Sequence, residues 1–162
     1  MEIRIATAND IEALCPILTE FFAYNARLQP MYCNAAIESG EYPKSIIESD
    51  KSDFLIAVDN NSVVGFIHIN QMETPPYDAI TPHKYAEIMA FMVTAASREK
   101  GIGSELVNFA KGWSTERNLD YIELFSLVNA NEANNFYDKN DFVTVSHIRR
   151  LVLLETARNT PL

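Results

Sequence analysis

Between Tyr85 and Val93 the chain reads YAEIMAFMV, and Glu87 is the only carboxylate in that run. A carboxyl group desolvated in a strand otherwise fit for burial is pushed up in pKa and can take a proton from an ammonium. A strand-end glutamate facing solvent is the other reading. Five residues further on, Arg98-Glu99-Lys100-Gly101-Ile102-Gly103 leads through Ser104 into helix-forming sequence. The glycines let the main chain approach a ligand and turn successive N–H groups toward it, and the start of a helix adds unpaired N–H groups and the positive end of its dipole. With Arg98 and Lys100 beside them, this stretch could hold a pyrophosphate; a plain tight turn would look similar. It is neither a Walker loop, since no Gly-Lys-Ser/Thr follows, nor a dinucleotide fingerprint, since a third glycine is missing. His68, His83 and His147 lack metal-ligand spacing and read as structural or exposed, so no metal is expected.

Positioning these groups takes a strand, a turn and a helix in that order, and the rest of the chain supplies a scaffold. Ile3–Ala6 reads as a first strand. Asn9 or Asp10 can cap a helix whose inner face is Ile11, Leu14, Cys15, Leu18, Phe21 and Phe22, ending at Gln29-Pro30. Ala35–Ser39 could form a helical turn, Gly40 breaks it, and Pro43 can open another to about Ser49. Phe54–Val58 and Val63–Asn70 form a hairpin through Asp59-Asn60-Asn61-Ser62, since Asn and Asp tolerate left-handed turns. Gln71–Lys84, with three prolines, is expected to be a long loop. Tyr85–Val93 is a central strand, a helix runs from Gly103 or Ser104 to about Arg117, Leu119–Val128 is a strand, Asn131–Lys139 a helix, and Phe142–Leu154 one or two closing strands. The order βα(α)βββαβαβ implies an α/β fold: one mixed, mostly antiparallel central sheet with helices on both faces. A single domain over 1–155 is expected, with a short frayed tail at 156–162.

Composition narrows the function classes. A chain of 162 residues with 48% hydrophobic and 22% charged side chains has room for one real core. The formal net charge of −9 repels nucleic acid and would attract a cationic partner such as an amine. No apolar run is long enough to span a bilayer, the N-terminus does not read as a signal peptide, and Cys15 and Cys33 make no disulfide framework. Cytoplasm is the expected location, with no nucleic acid or membrane partner.

Three segments resemble a known family. Arg98-Glu99-Lys100-Gly101-Ile102-Gly103 is similar to the Arg/Gln-x-x-Gly-x-Gly/Ala acyl-CoA signature of the GCN5-related N-acetyltransferases. NEANNFYDKNDF, from Asn131 to Phe142, resembles that family's Asn-x-x-Ala-x-x-Phe-Tyr-x-x-x-Gly-Phe segment, with the alanine one residue early and Asp141 where glycine is usual. The opening IRIATANDIEAL resembles the family's first strand and helix. The resemblance implies the acyl-CoA N-acyltransferase fold, with acetyl-CoA as cosubstrate. It implies that the pantetheine arm pairs with the main chain of Phe91, Met92 and Val93, the Phe91 N–H polarising the thioester carbonyl. The pyrophosphate would rest on the amides of Arg98, Glu99, Lys100, Gly101, Ile102, Gly103 and Ser104, and Asn131 would bond the pantetheine, with Asn129 and Asn134 as rivals. AEIMAFMV resembles the branch in which the matching glutamate is the general base, here Glu87; Tyr137 matches the tyrosine that protonates the departing thiolate.

The reaction so implied moves an acetyl group to a primary amine by direct attack in a ternary complex. A non-catalytic acyl-CoA-binding sensor or interaction domain, or a transferase of a longer acyl group admitted around Met89, Met92 and Phe125, are the alternatives. The acceptor, a small molecule or a peptide amine, would be met by residues 22–42 and 73–85, where Glu38, Glu41, Glu73 and Asp78 suit a cation. A homodimer through the closing strands is compatible with the sequence, though no feature demands it.

Overall fold

The computed structural model describes residues 1–153. The elements are β1 (Glu2–Ile5), α1 (Ile11–Leu28), α2 (Glu41–Ile47), β2 (Ser52–Asp59), β3 (Ser62–Glu73), β4 (Lys84–Val93), α3 (Ile102–Glu116), β5 (Ile122–Leu124) and α4 (Asn131–Lys139). The chain forms two compact units: Met1–Leu18 with Glu38–Phe125, and Thr19–Ile37 with the chain from Ser126 onward.

The first unit carries one open five-stranded sheet in the order β1-β2-β3-β4-β5. Three pairings are antiparallel and β4–β5 is parallel. The expected mixed, mostly antiparallel sheet is therefore present. Asn60 and Asn61 turn the β2–β3 hairpin in left-handed conformation, with φ of +48° and +60°. Alternation along the strands assigns the faces. Phe54, Phe66 and His68 point to the side of α2, where the Tyr42 ring packs edge-on against Phe54 and His68. Asp53, Leu55 and Gly65 point to the other side, where α3 lies.

Two contacts fix α3 there. The Trp113 indole N–H donates to Asp53 Oδ2 at 2.7 Å, and Arg117 pairs with the same oxygen while lying 4.0 Å from the Trp113 ring centre. At Gly65 an added Cβ would stand 3.1 Å from Leu106 Cδ1 and 3.2 Å from the Met92 carbonyl oxygen, so glycine lets helix and strand meet closely. Leu14, Leu18, Leu55, Ile56, Ile67, Ile69, Leu106 and Val107 are fully buried in this unit.

Several boundaries differ from the expectation. Ala35–Ser39 forms no helical turn; instead Gly40, at φ +104°, is the N-cap of α2, which begins at Glu41, two residues before Pro43. Gln71 to Glu73 continue β3 because they pair with β4, so the proline-rich loop is only 74–83, closed at its base by Thr74 and His83. A short 3₁₀ turn over Ala8–Asp10 precedes α1, where Asp10 accepts two bonds from Arg4 and one from the Thr7 N–H. Helix α3 begins at Ile102, a residue earlier than expected.

The larger corrections concern the strands. Leu119–Val128 shrinks to the three residues of β5, since only Ala86–Ile88 of β4 supplies a ladder. No strand forms over 142–153, where Val143, Val145, Leu151 and Leu153 are more than three-quarters exposed; Leu154 lies outside the described residues. Alternating apolar residues are not enough for a strand without a partner edge. The expected tail at 156–162 also lies outside the described residues.

Candidate active site

In the first unit the centre of interest is the middle of β4. The β3–β4 register runs Phe66–Met92, Ile67–Phe91, His68–Ala90 and then Ile69–Ile88, leaving Met89 as an extra residue. This is a β-bulge, and bulges bend a strand and re-aim its side chains. On the other edge of β4, the β5 ladder consists of Ala86–Ile122, Glu87–Glu123 and Ile88–Leu124. Phe91, Met92 and Val93 lie beyond the end of that ladder.

Glu87 is half-buried and sits opposite Asn70 on one side and Glu123 on the other. Its carboxyl pKa is raised, first by burial and then by the negative charge of Glu123. Next along the same face, Tyr85 and Tyr121 stack with centroids 5.0 Å apart, 13° from parallel. The same face carries a hydrogen-bonded chain: Tyr42 Oη to His68 Nδ1 at 2.5 Å, and His68 Nε2 to Asn70 Oδ1 at 2.8 Å. His68 is only 3% exposed, and burial drives its pKa down to about 4, so the ring is neutral. Burial, followed by the charge of Glu38, pushes the Tyr42 hydroxyl up to about 12.

The segment after β4 turns sharply. Arg98 Nε donates to the Val93 carbonyl at 3.2 Å, tying the turn to the strand end. Glu99 and Gly101 are both left-handed, with φ of +62° and +82°. Gly101 is the N-cap of α3, and no side chain caps that helix. The amides of Ile102, Gly103 and Ser104 open the first turn, where helix geometry provides no internal acceptor. Arg98, Glu99, Lys100 and Gly101 are exposed. The structure therefore brings Glu87, the Phe91–Val93 main chain and the Arg98–Ser104 turn together in the first unit.

Asn131 and Tyr137 belong to the second unit. Asn131 is exposed at the first residue of α4. Its rivals are committed elsewhere: Asn129 Nδ2 donates to the Leu28 carbonyl at 3.0 Å, and Asn134 Nδ2 to the Leu127 carbonyl at 2.9 Å. The Tyr137 ring meets Phe136 and Phe142 edge-on, and burial followed by proximity to Tyr24 raises its hydroxyl to about 12. Asp141 stands at φ +67°, the left-handed conformation that glycine usually serves.

Of the acidic residues expected to meet a cation, two have other work. Glu38 accepts the Gly40 and Tyr42 N–H groups at the start of α2, and Glu73 lies 4.0 Å from Lys84. Glu123 is the acidic neighbour that sequence reading missed. Only the parallel register of β5 against β4 reveals it.

The sequence profile of the acetyltransferase (GNAT) family matches residues 12–142. The chain belongs to that family. The BH1408 protein of Bacillus halodurans, as a tetramutant, is similar at 20% identity, covering 94% of this chain and 100% of its own, with a TM-score of 0.88. A ribosomal-protein-alanine N-acetyltransferase from Brucella melitensis biovar Abortus 2308 shares 16% identity over 93% of this chain and 98% of its own, TM-score 0.68. An aminoglycoside N-acetyltransferase, AAC(6')-Iy, in complex with CoA shares 12% over 94% and 99%, TM-score 0.70. These likenesses establish the fold. No curated protein sequence matches the chain.

The residues present suit acetyl-CoA, the donor typical of the family. The start of α3 has no side-chain cap and lies behind two left-handed residues, an arrangement that can receive a pyrophosphate. The β5 ladder ends at Ile88, three residues before Phe91. No helix among the described residues is long and apolar enough to cross a membrane.

Proposed function

We propose that this member of the family is an acetyl-CoA-dependent N-acetyltransferase that acts on a primary amine, with both substrates bound together and no covalent enzyme intermediate. Bound acetyl-CoA supplies the thioester that the amine attacks. The Arg98–Ser104 amides and the Phe91–Val93 main chain hold the cosubstrate, and Asn131 bonds its pantetheine arm. The Phe91 N–H stabilises charge on the thioester oxygen. Glu87 takes the ammonium proton, by way of a water, leaving the neutral amine as nucleophile.

Tyr137 donates toward the departing sulfur. Its hydroxyl near 12 keeps its proton at every working pH. A thiol titrates near 8.5, so complete transfer would be uphill by several kcal/mol at about 1.36 kcal/mol per unit. The contribution of Tyr137 is therefore a hydrogen bond that strengthens as negative charge develops on sulfur.

The observation that carries this reading is Glu87, a half-buried carboxylate of raised proton affinity on β4 just before the β5 ladder ends. A cationic acceptor, small molecule or peptide, is supported by the Glu87–Glu123 pair and by the aminoglycoside and ribosomal-protein alanine named for two similar structures. The reading takes residues 1–155 as one domain and places it in the cytoplasm. Exposed Val143, Val145, Leu151 and Leu153 support a homodimer through that segment.

The test is kinetic. Glu87→Gln should lose the acid limb of the pH–rate profile and work only as pH approaches the amine's own pKa. Tyr137→Phe should lower kcat by about 10- to 100-fold with CoA binding preserved, the loss expected for one hydrogen bond to a developing charge. Unaltered profiles in both variants would remove the assigned roles.

A further inference from the structure

The Tyr42–His68–Asn70 chain ends beside Glu87 and has no part in the mechanism above. This inference rests on Glu87 being the base. Asn70 and Glu87 are register partners on adjacent antiparallel strands. Directly opposed side chains have Cβ atoms about 4.5–5.5 Å apart. Both residues are half-buried, and no direct hydrogen bond joins their side chains among the described residues. Two polar side chains set opposite each other without a direct bond can be joined through a bridging water.

The direction of the chain decides what Asn70 offers. With Tyr42 O–H donating to His68 Nδ1, Nε2–H donates to Asn70 Oδ1, which leaves the Asn70 amide N–H groups for the Glu87 side. The reverse arrangement would turn the Asn70 carbonyl oxygen toward the Glu87 carboxylate, oxygen against oxygen. The groups facing Glu87 in this unit are Tyr85 on its own strand, Asn70 and neutral His68 on β3, Glu123 and Tyr121 beside β4, and Tyr42 on α2. Among them, Asn70 is the one that can donate with its acceptor oxygen already engaged.

We propose that Asn70 is a positioning residue for proton removal, oriented by His68 and Tyr42 so that its amide N–H holds the water between the acceptor ammonium and Glu87. The water oxygen accepts one bond from Asn70 and one from the ammonium, and the water donates to the Glu87 carboxylate. When the ammonium N–H bond breaks, a new O–H bond forms on the water. Another O–H bond of the water breaks, and its proton ends on Glu87. The amine keeps the electron pair with which it attacks.

The decisive measurement is NMR on the full chain, carried out without substrate. His68 is expected to remain a single Nε2–H tautomer between about pH 5.5 and 8, and the Glu87 carboxyl is followed by ¹³C titration. Asn70→Ala should raise the Glu87 midpoint by about half a unit or more, since donors to the charged form favour it. His68→Gln, which keeps a donor for Asn70 and an acceptor for Tyr42, should titrate like wild type, and His68→Leu like Asn70→Ala. In turnover of acetyl-CoA with sisomicin or an alanine-terminated peptide, Asn70→Ala should lower kcat about tenfold, part of the roughly 10²–10⁴-fold a proton-transfer group supplies, with KM for acetyl-CoA unchanged. An Nδ1–H tautomer, or a Glu87 titration unmoved in Asn70→Ala, overturns the inference whatever the rates do. A midpoint moved in Asn70→Ala alongside an unaltered Glu87→Gln rate profile overturns the base role and leaves the orientation of Asn70 supported.

Discussion

Glu87 and Glu123 stand opposite each other across parallel strands, and the negative charge of Glu123 adds to burial in opposing the ionisation of Glu87. A base used near neutral pH gains from that pressure, because a higher proton affinity improves proton capture while the group stays ionised. Removing the like charge should lower the Glu87 pKa. Glu123→Gln is therefore expected to move the acid limb of the pH–rate profile to lower pH and to reduce the plateau, the opposite displacement to that of Asn70→Ala. A profile that stays in place would show that Glu123 does not bear on Glu87. Glu87 was legible in the sequence because it is a lone carboxylate among apolar neighbours. Glu123 was not, since its importance comes from a register that local sequence does not encode. The same holds for His68: Tyr42 lies 26 residues away, and only the folded sheet places its hydroxyl against the ring.

At the scale of elements, the strand–turn–helix unit from β4 to α3 depends on two glycines for different reasons. Gly65 is limited by space: a Cβ would press to 3.2 Å on the Met92 carbonyl oxygen, a backbone atom with little freedom to move. Gly65→Ala should cost about 1–3 kcal/mol of stability, the range for overpacking, read by urea unfolding. Gly101 has open space around it and is limited by its φ of +82°. Gly101→Ala should cost about 1 kcal/mol through that conformation and weaken acetyl-CoA binding more than amine binding, as calorimetry would detect; equal losses for both ligands would contradict the cradle. The hairpin, the core helices and the order of elements from β1 to α4 were readable from periodicity and turn residues, whereas the closing strands expected after α4 do not form over 142–153. The extent of strands was not. Apolar character continues through Phe125 and again over 142–153, yet a strand lasts only while a neighbour supplies a ladder, as β3 shows by extending to Glu73 against β4.

For the molecule as a whole, acidification should remove stability in two windows. His68 is held near pKa 4, below its ordinary 6.5, by burial. The unfolded chain then binds the proton first, so this contribution is complete above 6.5 and is lost as pH falls toward 4; it amounts to roughly 3 kcal/mol. The Arg4 hydrogen bonds hold Asp10 near 2, below 3.8, so its contribution of about 2 kcal/mol persists above 3.8 and is lost as pH falls toward 2. Urea unfolding over a pH series should show both slopes, with His68→Gln flattening the upper and Asp10→Asn the lower. Stability unchanged between pH 6.5 and 4 would mean that His68 is not held neutral in the fold.

Purified protein mixed with acetyl-CoA and an amine panel that includes sisomicin and an alanine-terminated peptide should release free CoA thiol. That release should match the amount of acetylated amine formed and vanish when the amine is left out. Saturable acetyl-CoA binding with no amine-dependent thiol release across the panel would contradict the transferase reading and identify the chain as a binding domain.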